Sequence, residues 1–374
     1  MSDTCGRRRY LKTAGLVSVV GTAGCLRLQS GSENGESEQE NLLELTPQWE
    51  KNVKRLLTAD NDFFTGISSV TRIASDGTTV FTAEDIESDH HFNLLNGKQN
   101  ALFVDDSGVY VGASTDSREG GRLYALEPTS GQRRWMIQEP EGGLHDNIRS
   151  PTRHEDLIIY NSFSTGAIDD NKSTIKAVDI ETGDNEWQIE FEDEIDTQVL
   201  PIGDYLFVGD SDGVKQYEIE TREIINSWDQ FLGLRDFVAQ DGILYTSVGL
   251  LQAISIETGE RLWSIEPEDG IATRATVGSE AVFYGTETGY IQAYDKENGD
   301  QLWETRIPGM IRNPLAYTDG VVWAKTRRGD LIAFGEDDGL QYYVDQFESD
   351  YTFAILDGIL LESSSNTAYK ITER

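Results

Sequence analysis

Four arginines stand at matching places ahead of four strand-like segments: Arg149 in NIRSP, Arg235 in GLRDF, Arg274 in ATRAT and Arg312 in MIRNP. A guanidinium offers a rigid fork of donors that grips a carboxylate through two parallel hydrogen bonds. A ring of them would hold an anionic ligand or a carboxylate-bearing loop of a protein partner. Asp146, Asp196 and Asp236 lie in the same segments and could pair with these cations instead. Other chemistry is sparse. His90 and His91 follow Asp89 in an irregular stretch that reads as a solvated loop, and His145 and His154 lack ligand spacing. Asp169, Asp170, Asn171, Asp210 and Asp212 are oxygen donors of the kind calcium takes, but Asp and Asn are equally expected in turns. No G-x-S-x-G elbow, phosphate-binding loop or dinucleotide fingerprint occurs, and no catalytic residue is assigned.

The first stretch reads as an address. Arg7, Arg8 and Arg9 precede Tyr10-Leu11-Lys12, and a short apolar run follows from Ala14 to Ala23. The run is too short to span a bilayer. It resembles a twin-arginine export signal, with Gly6 where Ser or Thr is usual. Thr22-Ala23-Gly24-Cys25 looks like a lipobox, implying removal of residues 1–24 and a lipid on Cys25. Cys5 would leave with the signal, so neither a disulfide nor a cysteine metal site is expected. Residues 25–46 are acidic and rich in Ser and Gly, the composition of a flexible tether. The expected arrangement is signal 1–24, tether 25–46 and folded domain 47–374, displayed on the outer face of the cytoplasmic membrane.

From Pro47 onward the chain repeats one phrase. LQAISIETGERLW (Leu251 to Trp263) and IQAYDKENGDQLW (Ile291 to Trp303) are clear copies, as are LYALEPTSGQRRW (Leu123 to Trp135) and IKAVDIETGDNEW (Ile175 to Trp187). Val214–Trp228 and Leu331–Tyr343 are worn ones. Each reads as a hairpin: an alternating strand, a turn at a glycine that tolerates positive φ, and a return strand ending in a large aromatic. Ahead of each lies a further strand opened by a turn, at Asp106, Glu155, Gly203, Asp241, Ser279 and Asp319, and two more copies are read at Asp76 and Asp357. Eight such segments, at a period of one propeller blade, predict an all-β propeller of eight four-stranded blades, with seven as the alternative. Trp49 sits on a lone last strand, and the C-terminus supplies strands without a Trp, so the N-terminal strand is expected to close the ring.

The phrase resembles the pyrroloquinoline-quinone (PQQ) enzyme repeat, also called the tryptophan-docking motif. The resemblance covers nearly all of the folded part. It implies that Ala, Gly and Trp dock neighbouring blades: Ala125, Gly131 and Trp135; Ala177, Gly183 and Trp187; Ala253, Gly259 and Trp263; Ala293, Gly299 and Trp303; with Trp228 and Trp49 in the remaining copies. The family's dehydrogenases are longer, many carry a vicinal cysteine pair, and they hold calcium beside the quinone. The chain is more similar to the short, non-enzymatic members, which include a propeller lipoprotein of the bacterial outer-membrane assembly machinery. The expectation is therefore a binding or scaffold module without cofactor, acting on other envelope proteins. A PQQ-dependent dehydrogenase of alcohols or sugars is the alternative.

Charge narrows the partners. Acidic residues number 66 against 31 basic, a net charge of −35, which repels nucleic acid and anionic membrane surfaces. Such a surface, poor in Lys, suits a protein kept soluble in concentrated salt and points to a halophilic archaeon. A monomer is expected.

Overall fold

The structure, a computed structural model, describes residues 42–373 apart from 54–55, 60, 67–68, 84–89, 93–100, 116–119, 140–144, 166–170, 192–194, 196–198, 210–212, 229–236, 249, 268–269, 272, 287, 312–314, 348–352 and 364. Among these there is no helix; eight four-stranded antiparallel blades form an eight-bladed β-propeller. Blade 1 runs through Leu56–Ala59, Asp62–Thr65, Val70–Ala74 and Thr79–Ala83, and blade 2 through Leu102–Asp105, Gly108–Thr115, Arg122–Leu126 and Arg133–Gln138. Blade 3 comprises His145–His154, Leu157–Thr165, Asn171–Asp179 and Asn185–Phe191. Blade 4 comprises Val199–Ile202, Tyr205–Gly209, Val214–Glu218 and Ile224–Trp228, and blade 5 Phe237–Gln240, Ile243–Val248, Leu250–Ser255 and Arg261–Ile265. Blade 6 is Thr276–Val277, Ala281–Gly285, Tyr290–Asp295 and Gln301–Arg306; blade 7 is Ala316–Thr318, Val321–Lys325, Asp330–Gly335 and Gln341–Gln346. Blade 8 joins the two ends of the chain: Phe353–Leu356, Ile359–Glu362 and Thr367–Glu373 pair outward to Leu43–Glu50.

The closing strand begins at Leu43, ahead of the Pro47 boundary read from composition. Leu43 and Leu45 alternate toward the apolar seam between blades 7 and 8, which is why the strand extends into an acidic stretch.

One register recurs. The docking alanine faces the aromatic across the outer hairpin: Ala125 faces Trp135, Ala177 Trp187, Ala253 Trp263, Ala293 Trp303, Ala333 Tyr343 and Ala368 Trp49. A bulge beside each pair bends the outer strand. The indole then reaches the next blade. Trp135 donates to Ile180 O at 3.0 Å, Trp263 to Lys296 O at 3.1 Å and Trp303 to Glu336 O at 2.6 Å. Trp49 donates to Ser75 O at 3.1 Å, so blade 8 is fastened to blade 1 as blades 2, 5 and 6 are to theirs.

The worn copies show how the rule bends. In blade 4, Gln216 faces Asn226 where the clear copies have Ala and Trp, and Trp228 lies two residues further on, stacked on Phe207. Trp228 still donates to Gly259 O in blade 5, at 2.9 Å. Arg222, at φ 62°, holds the turn position that glycine takes elsewhere. Blade 1 corrects one expectation. The segment opening at Asp76 is its outer strand, with Phe81 in the place of Trp against Gly131; its second strand is Asp62–Thr65, led by Asn61 at φ 58°. An Asp-Gly turn followed by alternating apolar residues fits either hairpin of a blade, and without a tryptophan nothing local separates them.

Candidate functional site

The inner strand of a blade enters beside the end of the second strand, and Arg149 and Arg274 sit there. In blade 3, Ile148 faces Ser162 and Arg149 faces Asn161; the ladder then slips at a bulge before Thr152, with Ser150 at φ 50°. Arg149 is half-buried, its guanidinium carbon 5.4 Å from the centre of the Phe163 ring, within cation–π range. In blade 6, Ile271 bridges Thr286, and in blade 7 Ile311 bridges Thr326 at the same rung. Counting from these rungs, Arg149 and Arg312 each follow the bridged isoleucine directly, whereas Arg274 comes three residues after Ile271. Arg274 is half-buried, and Thr273 ties its backbone: the hydroxyl donates to Arg274 O at 3.1 Å and accepts from Gly285 N at 2.9 Å.

Arg235, Arg312, Asp89, Asp169, Asp170, Asp196, Asp210, Asp212 and Asp236 lie outside the described residues, as do Cys5, Arg7, Arg8, Arg9 and Cys25. His90 and His91 belong to a short strand, His90–Phe92, that adds to the second strand of blade 2. Their place in a ladder replaces the loop read from sequence. Among the described residues no group of three or more His, Cys, Asp or Glu is gathered to hold a metal ion.

Polar ties between blades were not singled out in the sequence. Lys325, 2 % exposed, donates to Glu362 Oε1 at 2.5 Å, joining blade 7 to blade 8, and Ser365 N donates to Glu362 Oε2 at 2.8 Å. Glu139, at the end of blade 2, accepts from Tyr160 at 2.7 Å and Lys176 at 2.6 Å in blade 3. Burial, reinforced by that carboxylate, raises the Tyr160 phenol and keeps it protonated. Glu336 of blade 7 accepts from Ser279 Oγ, Glu280 N and Ala281 N of blade 6 and from Tyr317. The signal was a charged residue inside an apolar strand, as in VVWAK and ILLES.

A family model described as outer membrane protein assembly factor BamB matches residues 26–228 and 247–365. The chain belongs to this family. Its PQQ-like repeats and eight-bladed ring have solved counterparts at low identity, which speak for the fold alone. BamB from Moraxella catarrhalis is 16% identical, over 88% of this chain and 98% of its own, with a TM-score of 0.64. A computationally designed protein, Ika8, is 16% identical over 89% of this chain and 99% of its own, with a TM-score of 0.66. The quinohemoprotein alcohol dehydrogenase from Comamonas testosteroni is 12% identical over 89% of this chain and 77% of its own, with a TM-score of 0.62. No match was found among curated proteins.

Proposed function

We propose that this propeller is a binding scaffold of the cell envelope, exported through the signal at Arg7, Arg8 and Arg9 and anchored by a lipid on Cys25 to the outer face of the cytoplasmic membrane. The observation that carries the scaffold reading is the match to the BamB family over residues 26–228 and 247–365. The partner is another envelope protein that presents a carboxylate-bearing loop or anionic group to Arg149, Arg235, Arg274 and Arg312, and the chain acts as a monomer. No catalytic residue and no cofactor is assigned.

The quinoprotein reading has its own support, the fold shared with the quinohemoprotein alcohol dehydrogenases. Equilibrium dialysis of the full chain with PQQ and calcium in high salt, with a dye-linked alcohol or sugar assay, separates the two. The scaffold reading expects no stoichiometric uptake and no dye reduction; uptake with turnover overturns it. Replacement of Cys25 by Ser is expected to move the protein from the membrane fraction to the medium, which fractionation reads directly. Retention on the membrane would overturn the lipid anchor.

A further inference from the structure

Leu43 and Glu373 mark one face of the propeller. In an antiparallel blade, the turn between the first and second strands and the turn between the third and fourth lie at the same end. A backbone bond joins the two turns: Ile180 N donates to Asp156 O, Ile256 N to Gly242 O, Lys296 N to Glu280 O and Glu336 N to Gly320 O. Blade 8 keeps that bond, from Ile371 N to Gly358 O. In place of an outer turn, however, its third and fourth strands end in the pair Glu373 and Leu43. Leu42 N then donates to Tyr342 O at 2.7 Å, so the chain ahead of it leaves the fold at this end, beside the outer strand of blade 7.

The same face is acidic. Its outer turns expose Glu257 and Glu260 in blade 5, Glu297 and Asp300 in blade 6, and Asp337 and Asp338 in blade 7. The first turns add Asp156, Asp204, Asp319 and Asp357, while Arg153 and Lys296 are paired with Asp105 and Asp241. Arginines stand at the opposite end. Arg149 pairs with Asn161, about 15–20 Å of strand away from the turn at His154 and Leu157. Arg274 follows Thr273, whose hydroxyl accepts from Gly285 N at the far end of the second strand of blade 6. Arg327 and Arg328, in the turn between the second and third strands of blade 7, are exposed at that end as well.

We propose that the propeller stands on its tether with the acidic turn face toward the membrane and the arginine end away from it, so that its partner docks from the membrane-distal side. This rests on the lipid anchor at Cys25. Residues 26–41, read as a tether, have a reach of roughly 20–25 Å. Bringing the arginine end to the bilayer would add the length of an outer strand, about 26 Å for the eight residues of Leu43–Glu50. The tether therefore favours the turn face. Like charge opposes it where the bilayer is anionic and salt is low, since the screening length is about 10 Å at 0.1 M. At 1 M that length is about 3 Å, and the tether decides. The anion offered to the arginines is then no headgroup of the anchoring bilayer. It is a carboxylate-bearing loop of a protein that is secreted or that projects beyond the propeller.

The test places a dye at either end of the full lipidated chain. One label sits at Thr258→Cys in the outer turn of blade 5, the other at Thr288→Cys in the turn between the second and third strands of blade 6; both positions are exposed. The chains are bound to phosphatidylcholine vesicles carrying a headgroup acceptor in 2 M KCl, and energy transfer is read alongside vesicle flotation. The expected result is flotation, with transfer from position 258 about twofold or more above that from position 288, as a separation of about 15–20 Å allows. A second pair, Asp357→Cys and Arg328→Cys, is expected to show the same order. Equal or reversed transfer from chains that float overturns the orientation and leaves the anchor standing. Opposite orders in the two pairs mean that the ring stands edge-on, and overturn it too. Failure to float, matching Cys25→Ser, overturns the anchor and the orientation with it.

Discussion

At the scale of single residues, two glycines separate conformation from contact. Gly299 and Gly242 both turn at positive φ, 76° and 78°. A Cβ on Gly299 would stand 2.9–3.1 Å from the Trp263 ring, whereas one on Gly242 would meet nothing within 4 Å. Gly242→Ala should therefore lose only the cost of a left-handed alanine, about 1 kcal/mol. Gly299→Ala should lose that and displace the indole as well, about 2–3 kcal/mol in total. Denaturant unfolding of the two variants checks the difference, and equal losses would deny the ring its role at the seam. Asp105 offers a pH handle. Burial alone would raise its carboxyl, but hydrogen bonds from Ser107 and Arg153 outweigh it and hold the pKa below the ordinary value. Because the folded pKa is the lower one, the stabilisation is complete above the unfolded value, near 4, and is lost as pH falls through the folded one. Asp105→Asn should flatten the acid limb of a stability-against-pH curve and leave it parallel to the parent near neutrality. Tyr245 marks the alkaline side: burial and Asp241 push its phenol up to about 12. Its stabilisation is whole below pH 10 and fades only as the pH rises toward that value. Difference absorbance on Tyr245→Phe should show one phenol missing from the late part of the titration.

At the scale of elements, what the sequence disclosed follows from what repeats. Six phrases carried a Trp or Tyr after a turn, so their outer hairpins were visible, and the count of eight came from adding the turn-led segments at Asp76 and Asp357. Blade 1 was misplaced within its own blade, because Phe81 stands where the Trp should be and Asn61, not Asp-Gly, opens the second strand. Of the four arginines, Arg149 and Arg274 lie among the described residues, and their places relative to the bridged isoleucine differ by two residues. Inner-strand register depends on where each ladder slips, as at Ser150, and that choice is made by packing rather than by local pattern. Inter-blade ties such as Lys325–Glu362 are visible as oddities in apolar strands, but their pairing is a long-range fact. Both groups are buried, so removing one should cost far more than removing both. Lys325→Met alone is expected to lose about 3–5 kcal/mol, and Lys325→Met with Glu362→Leu much less. A double-mutant cycle on unfolding free energy gives the coupling directly, and additive losses would mean that the pair does not hold blade 7 to blade 8.

For the whole molecule, closure and charge act against each other. The ring closes only through Leu43–Glu50, whose Trp49 docks on blade 1. Meanwhile a net charge of −35 pushes the blades apart. The repeat itself gathers negative charge, since Asp106, Asp156, Asp204, Asp241, Asp319 and Asp357 recur in the first turn of blades 2, 3, 4, 5, 7 and 8, with Glu280 at that turn in blade 6. Carboxylates in that arrangement interact across solvent, where the screening length shrinks from about 10 Å at 0.1 M salt to about 3 Å at 1 M. The Lys325–Glu362 pair is out of reach of that screening, with side-chain exposures of 1% and 0%. Two salt responses should therefore separate. The melting temperature of the full chain should climb between 0.1 and 2 M KCl as rim repulsion is screened, while the coupling between Lys325 and Glu362 stays constant over the same range. A melting temperature indifferent to salt would mean that the acidic rim imposes no strain on the ring, and a coupling that decays with salt would mean that the pair is reached by solvent.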